Sequence, residues 1–346
     1  MSRTNPPEDD NPHASMNTPA ALERLHSWER LVLADLPTPL NETRRLAAEL
    51  SDSPFDLHVK MDAETGFALG GNKVRKLEFE LAPTRLEGVS RLLTAGGPQS
   101  NHCRVTAAAA ARLGLDCTLV LSGPEPTHPT GNALLHRLFG ADIVTVEDRS
   151  ERTDRMQSLA LECADRGEGA LVVPIGASTG LGCLGYALAA VELMQQLEEL
   201  TPPEGRTRLF VPSSSCGTLA GLLLGISLLG REDVQLVGVS ADVSAADLTA
   251  QTLAIARDGA GLLAWDGRLM DNLAALDDHV GEGYGMPTPA ALEAIELFAR
   301  TEGLVLDPTY TSKAAAGLVA WARAGKFPAE DRVVFLHTGG HPGLLA

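Results

Sequence analysis

The chain has 346 residues, 44% of them hydrophobic, enough to bury a core in one large or two ordinary domains. Its 45 acidic and 28 basic residues leave a net charge of −17, a surface that repels nucleic acid and anionic membranes and so argues against both as partners. No apolar run has the length and freedom from charge of a membrane span, and the five cysteines form no CxxC and no metal-like pairing with histidine, so the reading expects no metal and reduced, mostly buried thiols in a cytoplasmic protein.

The first twenty residues are polar and proline-rich and lack the apolar core of a signal peptide. They read as part of a disordered extension, expected over residues 1–26. Beyond it, short β-rich runs alternate with helical patterns. FDLHVKMD (55–62) reads as a strand, and SRLLTAG (90–96) as a second, followed by an alanine-rich helix over Asn101–Leu113. CTLVLSG, a short helix ALLHRLFG and the strand ADIVTV come next. A helix near 152–165, the strand ALVVPIG and a helix over Leu181–Leu200 continue the pattern. RLFVP, a polar loop, an apolar helix from Thr218, VQLVGVSA and RVVFLHTGG complete it. Such alternation predicts an α/β protein whose open, parallel-type sheets carry helices on both faces. In such sheets ligands sit at the carboxyl ends of the strands, so the strand-exit loops carry the chemistry.

Four segments stand out. TAGGPQSNHCR (94–104) runs from a strand into a helix, and its glycines allow close backbone approach to an anion at the helix start. An ordinary strand–turn–helix connection explains it equally well. VPSSSCGTLAG (211–221) places three serines, Gly217 and Thr218 before an apolar helix. Capping accounts for one hydroxyl but not four, which favours a phosphate cradle over a Walker loop, since no GK[ST] follows. ALGGNKVRKLE (68–78) sets Lys73 and Lys76 three apart, on one face of a helix. Only five lysines occur in the chain (Lys60, Lys73, Lys76, Lys313 and Lys326), which narrows any lysine chemistry. LHTGGHP (336–342) offers His337 and His341 as catalytic bases, though a lone histidine is more often structural.

Taken together, GGNKVRKLE, GGPQSNHCR, SSSCGTLAG, LDPTYTSKAAAGL and FLHTGG, with GASTGLGCLGYALAAVEL and GEGYGMP, resemble in order the family of D-cysteine desulfhydrases and 1-aminocyclopropane-1-carboxylate deaminases. The likeness runs from about Leu36 to Pro342. It implies the tryptophan-synthase-β (type II) pyridoxal-phosphate fold, with a small domain over 77–173, a large cofactor-anchoring domain over 27–76 and 174–346, and a homodimer. It implies pyridoxal 5'-phosphate carried on Lys73. Asn72 and Lys76 would reach the phosphate, together with Ser213, Ser215, Cys216, Gly217 and Thr218. Asn101 would meet the ring hydroxyl, and Thr338 the pyridine nitrogen. Ser100, Asn101, His102, Tyr284, Tyr310 and Thr311 would face the substrate, with Lys73, Ser100, Tyr284 and Tyr310 catalytic.

The implied reaction is β-elimination on a small amino acid, foremost D-cysteine to pyruvate, ammonia and hydrogen sulfide. The cyclopropane-opening members of the family carry glutamate and leucine where this chain has Thr311 and Thr338, which favours the desulfhydrase side. The chain departs from the family pattern at Ala63, Pro98, Ser214 and His341. With Pro98 and His341 expected near the pocket, an L-cysteate sulfo-lyase is the next alternative, ahead of a 1-aminocyclopropane-1-carboxylate deaminase.

Overall fold

The computed structural model describes residues 17–51, 55–124 and 126–346. The helices are α1 (Thr18–Ser27), α2 (Arg44–Leu50), α3 (Lys73–Glu80), α4 (Asn101–Leu113), α5 (Gly131–Leu138) and α6 (Arg152–Asp165). They continue with α7 (Gly180–Glu198), α8 (Gly217–Leu228), α9 (Ala245–Leu262), α10 (Pro289–Glu302) and α11 (Thr311–Arg323). The strands are β1 (Leu40–Glu42), β2 (Asp56–Lys60), β3 (Arg91–Gly96), β4 (Asp116–Ser122), β5 (Asp142–Val146), β6 (Ala170–Val172), β7 (Thr207–Ser213), β8 (Val234–Ser240), β9 (Leu273–Leu276) and β10 (Arg332–Leu336).

They form two sheets. The larger has the order β1-β2-β10-β7-β8-β9, the smaller β5-β4-β3-β6. Every pairing is parallel except that of β1 with β2 at the edge. The strands at the middle of the larger sheet read as unbroken apolar runs, VVFL in β10 and LFV in β7, because helices cover both faces and no position turns to water. One face packs on α7, α8 and α9 through Leu184, Leu219, Leu223 and Leu248, and the other on α2, α10 and α11 through Leu46, Phe298 and Leu318. The smaller sheet buries Leu92 and Leu119 against α4 on one face, and Ala95 and Val120 against Met156 of α6 on the other.

Two expectations change. Residues 1–16 of the expected disordered extension lie outside the described residues, but its last part, placed as far as 26, is helix α1. Ala21 and Leu25 stand one turn apart, both fully buried against the core of the larger sheet, and Arg24 Nε donates to the Leu263 carbonyl at 2.5 Å. The boundary expected between 76 and 77 falls inside α3. That helix gives Val74 and Leu77 to the core of the smaller sheet and Phe79 to that of the larger, so one rigid element spans both.

Candidate active site

A cavity of about 580 Å³ opens between the carboxyl ends of the two sheets. Its wall includes Lys73, Gly97, Pro98, Ser100, His102, Ser214, Ser215, Tyr284 and Tyr310. A narrow recess of about 20 Å³ brings together Asn72, Lys73, Asn101, Ser213, Ser215, Cys216, Thr218, Tyr310 and Thr338. Five loops far apart in sequence thus converge, each leaving the carboxyl end of a strand or opening a helix.

The Lys73 loop is built by backbone. Gly70 sits at φ 66°, where an added Cβ would stand 1.9 Å from the Ala63 carbonyl, so only glycine fits there. The Gly71 amide donates to Asp62 O at 3.1 Å and that of Asn72 to Thr338 O at 3.0 Å, which ties the start of α3 to the exit of β10. Asn72 Nδ2 donates to Thr218 Oγ1 at 2.9 Å, and Lys73 Nζ to Asn72 Oδ1 at 3.3 Å. Burial pulls the Lys73 amine down to about 8; Asp307 opposes this fall and Arg104 adds to it. Lys76 lies wholly in the interior, its Nζ donating to Ser178 Oγ at 3.1 Å with no carboxylate bonded to it among the described residues. Burial, then the charge of Lys73, drives its amine well below the ordinary lysine value.

The polar loop after β7 wraps this lysine. Cys216 turns into α8 at φ 62°, and Ser178 Oγ donates to Ser215 Oγ at 2.8 Å while accepting from Gly217 N at 3.3 Å. A Cβ on Gly217 would stand 2.7 Å from Ser178 Oγ, so the residue must be glycine for the loop to close. Ser213 Oγ is buried without a partner among the described residues. Lys73, the Ser213 hydroxyl and the N-terminus of α8 thus face one recess, and Lys76, outside its lining, reaches it through Ser178, which bonds Ser215; the arrangement suits a doubly charged phosphate group. Cys216 contributes through its backbone, because its thiol points to the Ser214 carbonyl at 3.2 Å.

Opposite stands the start of α4. Ser100 caps the helix, its Oγ accepting from Cys103 N at 3.2 Å. Asn101 Oδ1 accepts from Asn132 Nδ2 at 2.8 Å and Arg104 Nη1 at 3.0 Å, an orientation that leaves its amide N–H groups without a partner among the described residues. His102 lines the cavity, but its Nε2 is anchored on Thr94 Oγ1 at 2.8 Å. That hydroxyl already donates to Val173 O, so Nε2 carries the proton; burial and the nearby lysines hold the ring neutral.

The two tyrosines meet, Oη to Oη at 2.5 Å, with rings 5.7 Å apart and nearly edge-on. Burial raises both phenols, that of Tyr310 well above its usual value, so both remain protonated at neutral pH. Thr311 does not join them. It is fully buried and its Oγ1 bonds Asp307 Oδ1 at 2.6 Å, away from the cavity. The cause is Asp307, whose carboxylate also gathers the Thr309, Tyr310 and Thr311 amides at 2.9, 2.9 and 2.8 Å and so shapes the turn that presents Tyr310.

Sequence reading passed over several residues that complete the site. Asp307 and Ser178 lay inside motifs that were noticed, at a turn-forming aspartate position and at a strand-exit hydroxyl. Asn132, Asp242 and Arg152 had no such signal. Arg152 lines the cavity and gives its Nε to the Arg149 carbonyl at 3.0 Å, while Arg149 and Asp242 pair across the cleft at 3.3 Å. Among the described residues no group of three or more histidines, cysteines and carboxylates is disposed to hold a metal, and no helix is long and apolar enough to cross a membrane.

Comparison with known proteins gives a consistent pattern. The family model described as "Pyridoxal-phosphate dependent enzyme" matches residues 31–339. A D-cysteine desulfhydrase of Salmonella typhi is 39% identical over 330 residues, 94% of this chain and 98% of that protein. One of Salmonella paratyphi A is 40% identical over 331 residues, with the same coverage. Among solved structures, one described as an ACC deaminase homologue superposes with a TM-score of 0.84 at 33% identity, over 94% of this chain and 96% of that one. A threonine deaminase of Solanum lycopersicum, 18% identical with a TM-score of 0.65 over 94% of this chain and 90% of that one, shares the fold.

Proposed function

The chain belongs to the family of pyridoxal-phosphate-dependent enzymes, and from that premise we propose that it is a lyase cleaving D-cysteine to pyruvate, ammonia and hydrogen sulfide. The observation that carries this reading is the 39–40% identity to D-cysteine desulfhydrases along nearly their whole length. The converging loops supply the chemistry it needs.

Lys73 would hold the cofactor, the turn from Ser213 to Thr218 with Lys76 and Ser178 its phosphate, and Asn72, Asn101 and Thr338 its orientation. Bound pyridoxal phosphate supplies an electron sink for negative charge developing at the substrate's Cα. Lys73, with an amine near pKa 8, is suited to carry the Cα proton at neutral pH. The first turn of α4, capped by Ser100, offers backbone amides to the substrate carboxylate. Tyr284 and Tyr310 are both protonated; one proton holds the pair together and the other is free to be donated toward the departing sulfur, while Arg152 adds positive charge to the same cavity wall. The two-domain division, the homodimer and a cytoplasmic setting belong to this proposal. A dimer suits the apolar groove lined by Leu69, Leu134, Pro342 and Leu345, and a reducing compartment suits five free, buried cysteines.

A second reading draws on one observation. A cavity-facing arginine with only its Nε engaged also suits a substrate whose side chain is itself anionic, so L-cysteate with release of sulfite is its competitor. The test is a panel of D-cysteine, L-cysteine, D- and L-cysteate, β-chloroalanine and 1-aminocyclopropane-1-carboxylate. Pyruvate, sulfide, sulfite and 2-oxobutyrate are read separately. Sulfide from D-cysteine at the highest kcat/KM supports the proposal; sulfite from L-cysteate alone transfers it to the second reading; efficient cyclopropane opening without either overturns both.

A further inference from the structure

Lys313 is a fully buried lysine that the reaction described above does not use. It is the third residue of α11, where a positive charge opposes the helix dipole, and burial lowers its amine further. Something outside the helix must offset both costs. The ammonium has three protons, and each meets a backbone carbonyl: Ala241 O at 3.0 Å, Val280 O at 2.8 Å and Gly283 O at 2.8 Å. Among the described residues no carboxylate bonds to it; Asp242 and Asp307 act on it at longer range.

Three carbonyl oxygens at these distances around a dehydrated single charge are what backbone offers a potassium ion. Their placement ties three segments together. Ala241 follows β8, Val280 and Gly283 belong to the turn that presents Tyr284, and Lys313 lies one helical turn beyond Tyr310. The same ammonium therefore links the turn that carries Tyr284 to the helix that follows Tyr310, the two residues that share a 2.5 Å hydrogen bond.

We infer that Lys313 is a built-in substitute for a monovalent cation, and that the Ala241–Val280–Gly283 carbonyl cage binds potassium or ammonium once the side chain is removed. Lys313 is thus a positioning residue acting through the tyrosine pair. The link to catalysis rests on the reading proposed above; the cage does not.

The test uses the holoenzyme with Lys313→Met and Lys313→Ala, the second leaving room for a partly hydrated ion. Melting temperature and the steady-state constants are measured in potassium, ammonium and choline chloride at equal ionic strength. Wild type is expected to be the same in all three. In choline the variants should melt lower and lose about ten- to a hundredfold in kcat, with KM changing less, as expected for reacting groups displaced by about 1 Å. Potassium or ammonium should restore both readouts saturably. A variant as stable and active as wild type in choline overturns the inference. So does the failure of both variants to recover, in melting or in rate, more with potassium or ammonium than with choline, including a failure to fold in any of the salts. If wild type ignores every substrate of the panel, the proposed reaction falls, while the salt-specific melting of the variants still decides the cage.

Discussion

Replacing Lys76 with methionine separates two roles that one side chain combines. In the protein without cofactor, the Lys76 amine lies in the interior, bonded to Ser178 Oγ and, among the described residues, to no carboxylate. Its amine is held well below the ordinary value of 10.5, chiefly by burial. A lysine depressed in this way binds fewer protons folded than unfolded, so it destabilises the fold at neutral pH, and stability rises with pH between the folded pKa and 10.5. Lys73 adds to the same window, which for it runs from about 8 to 10.5. At about 1.4 kcal/mol per unit this amounts to roughly 3 kcal/mol. Lys76→Met removes one of these buried amines for the loss of one neutral-acceptor hydrogen bond. The cofactor-free variant should therefore be more stable than wild type at pH 7, and its gain of stability toward pH 10 should be shallower. The phosphate, by contrast, loses a charge-assisted contact of about 1.5–3 kcal/mol, so pyridoxal phosphate should bind roughly ten- to a hundredfold more weakly. Urea unfolding of the cofactor-free proteins across pH, with fluorescence titration of the cofactor, reads both effects. A variant that binds the cofactor undiminished, or one less stable than wild type without it, refutes this reasoning.

Three further outcomes are expected. Lys73→Ala should abolish elimination and the protein-bound cofactor absorbance; borohydride reduction of wild type followed by peptide mapping should find the pyridoxyl group on residue 73 and on no other lysine. Thr311→Glu should act on folding before it acts on substrate choice, because the new carboxylate would meet buried Asp307, whose own pKa burial already raises. A loss of about 3–5 kcal/mol in urea unfolding is expected, and normal stability with altered substrate preference would place residue 311 in the pocket after all. Arg75→Leu should cost a similar amount, since that guanidinium bonds both Asp62 and Glu192 in the interior and its loss would leave buried Asp62 held by the Thr38 and Tyr186 hydroxyls and Glu192 by Lys60.

The sequence by itself determined the elements whose pattern is local. The alternation of apolar strands with helices announced parallel sheets, and the bounds read for the helix over Asn101–Leu113 are those of α4. The glycine- and serine-rich exits located the loops that bear the recess, because a phosphate-sized anion needs small residues and helix starts in any fold. Helix α1 is not legible because its two buried residues, Ala21 and Leu25, sit in an otherwise polar stretch whose burial depends on distant partners, α7 and α8. Tertiary structure alone decided which hydroxyls face the cavity. Thr311 follows Tyr310 in the chain, yet Asp307 draws its hydroxyl inward while the tyrosine turns out. It decided too that Arg152 and Asp242, from two separate strand exits, share the cavity wall with Lys73, that Ser178 meets Lys76, and that Lys313 meets three carbonyls. Composition and period specify which face of an element is buried. The partner a buried polar atom finds is fixed by chain crossings hundreds of residues apart, and the need to satisfy each such atom leaves no trace in the local pattern.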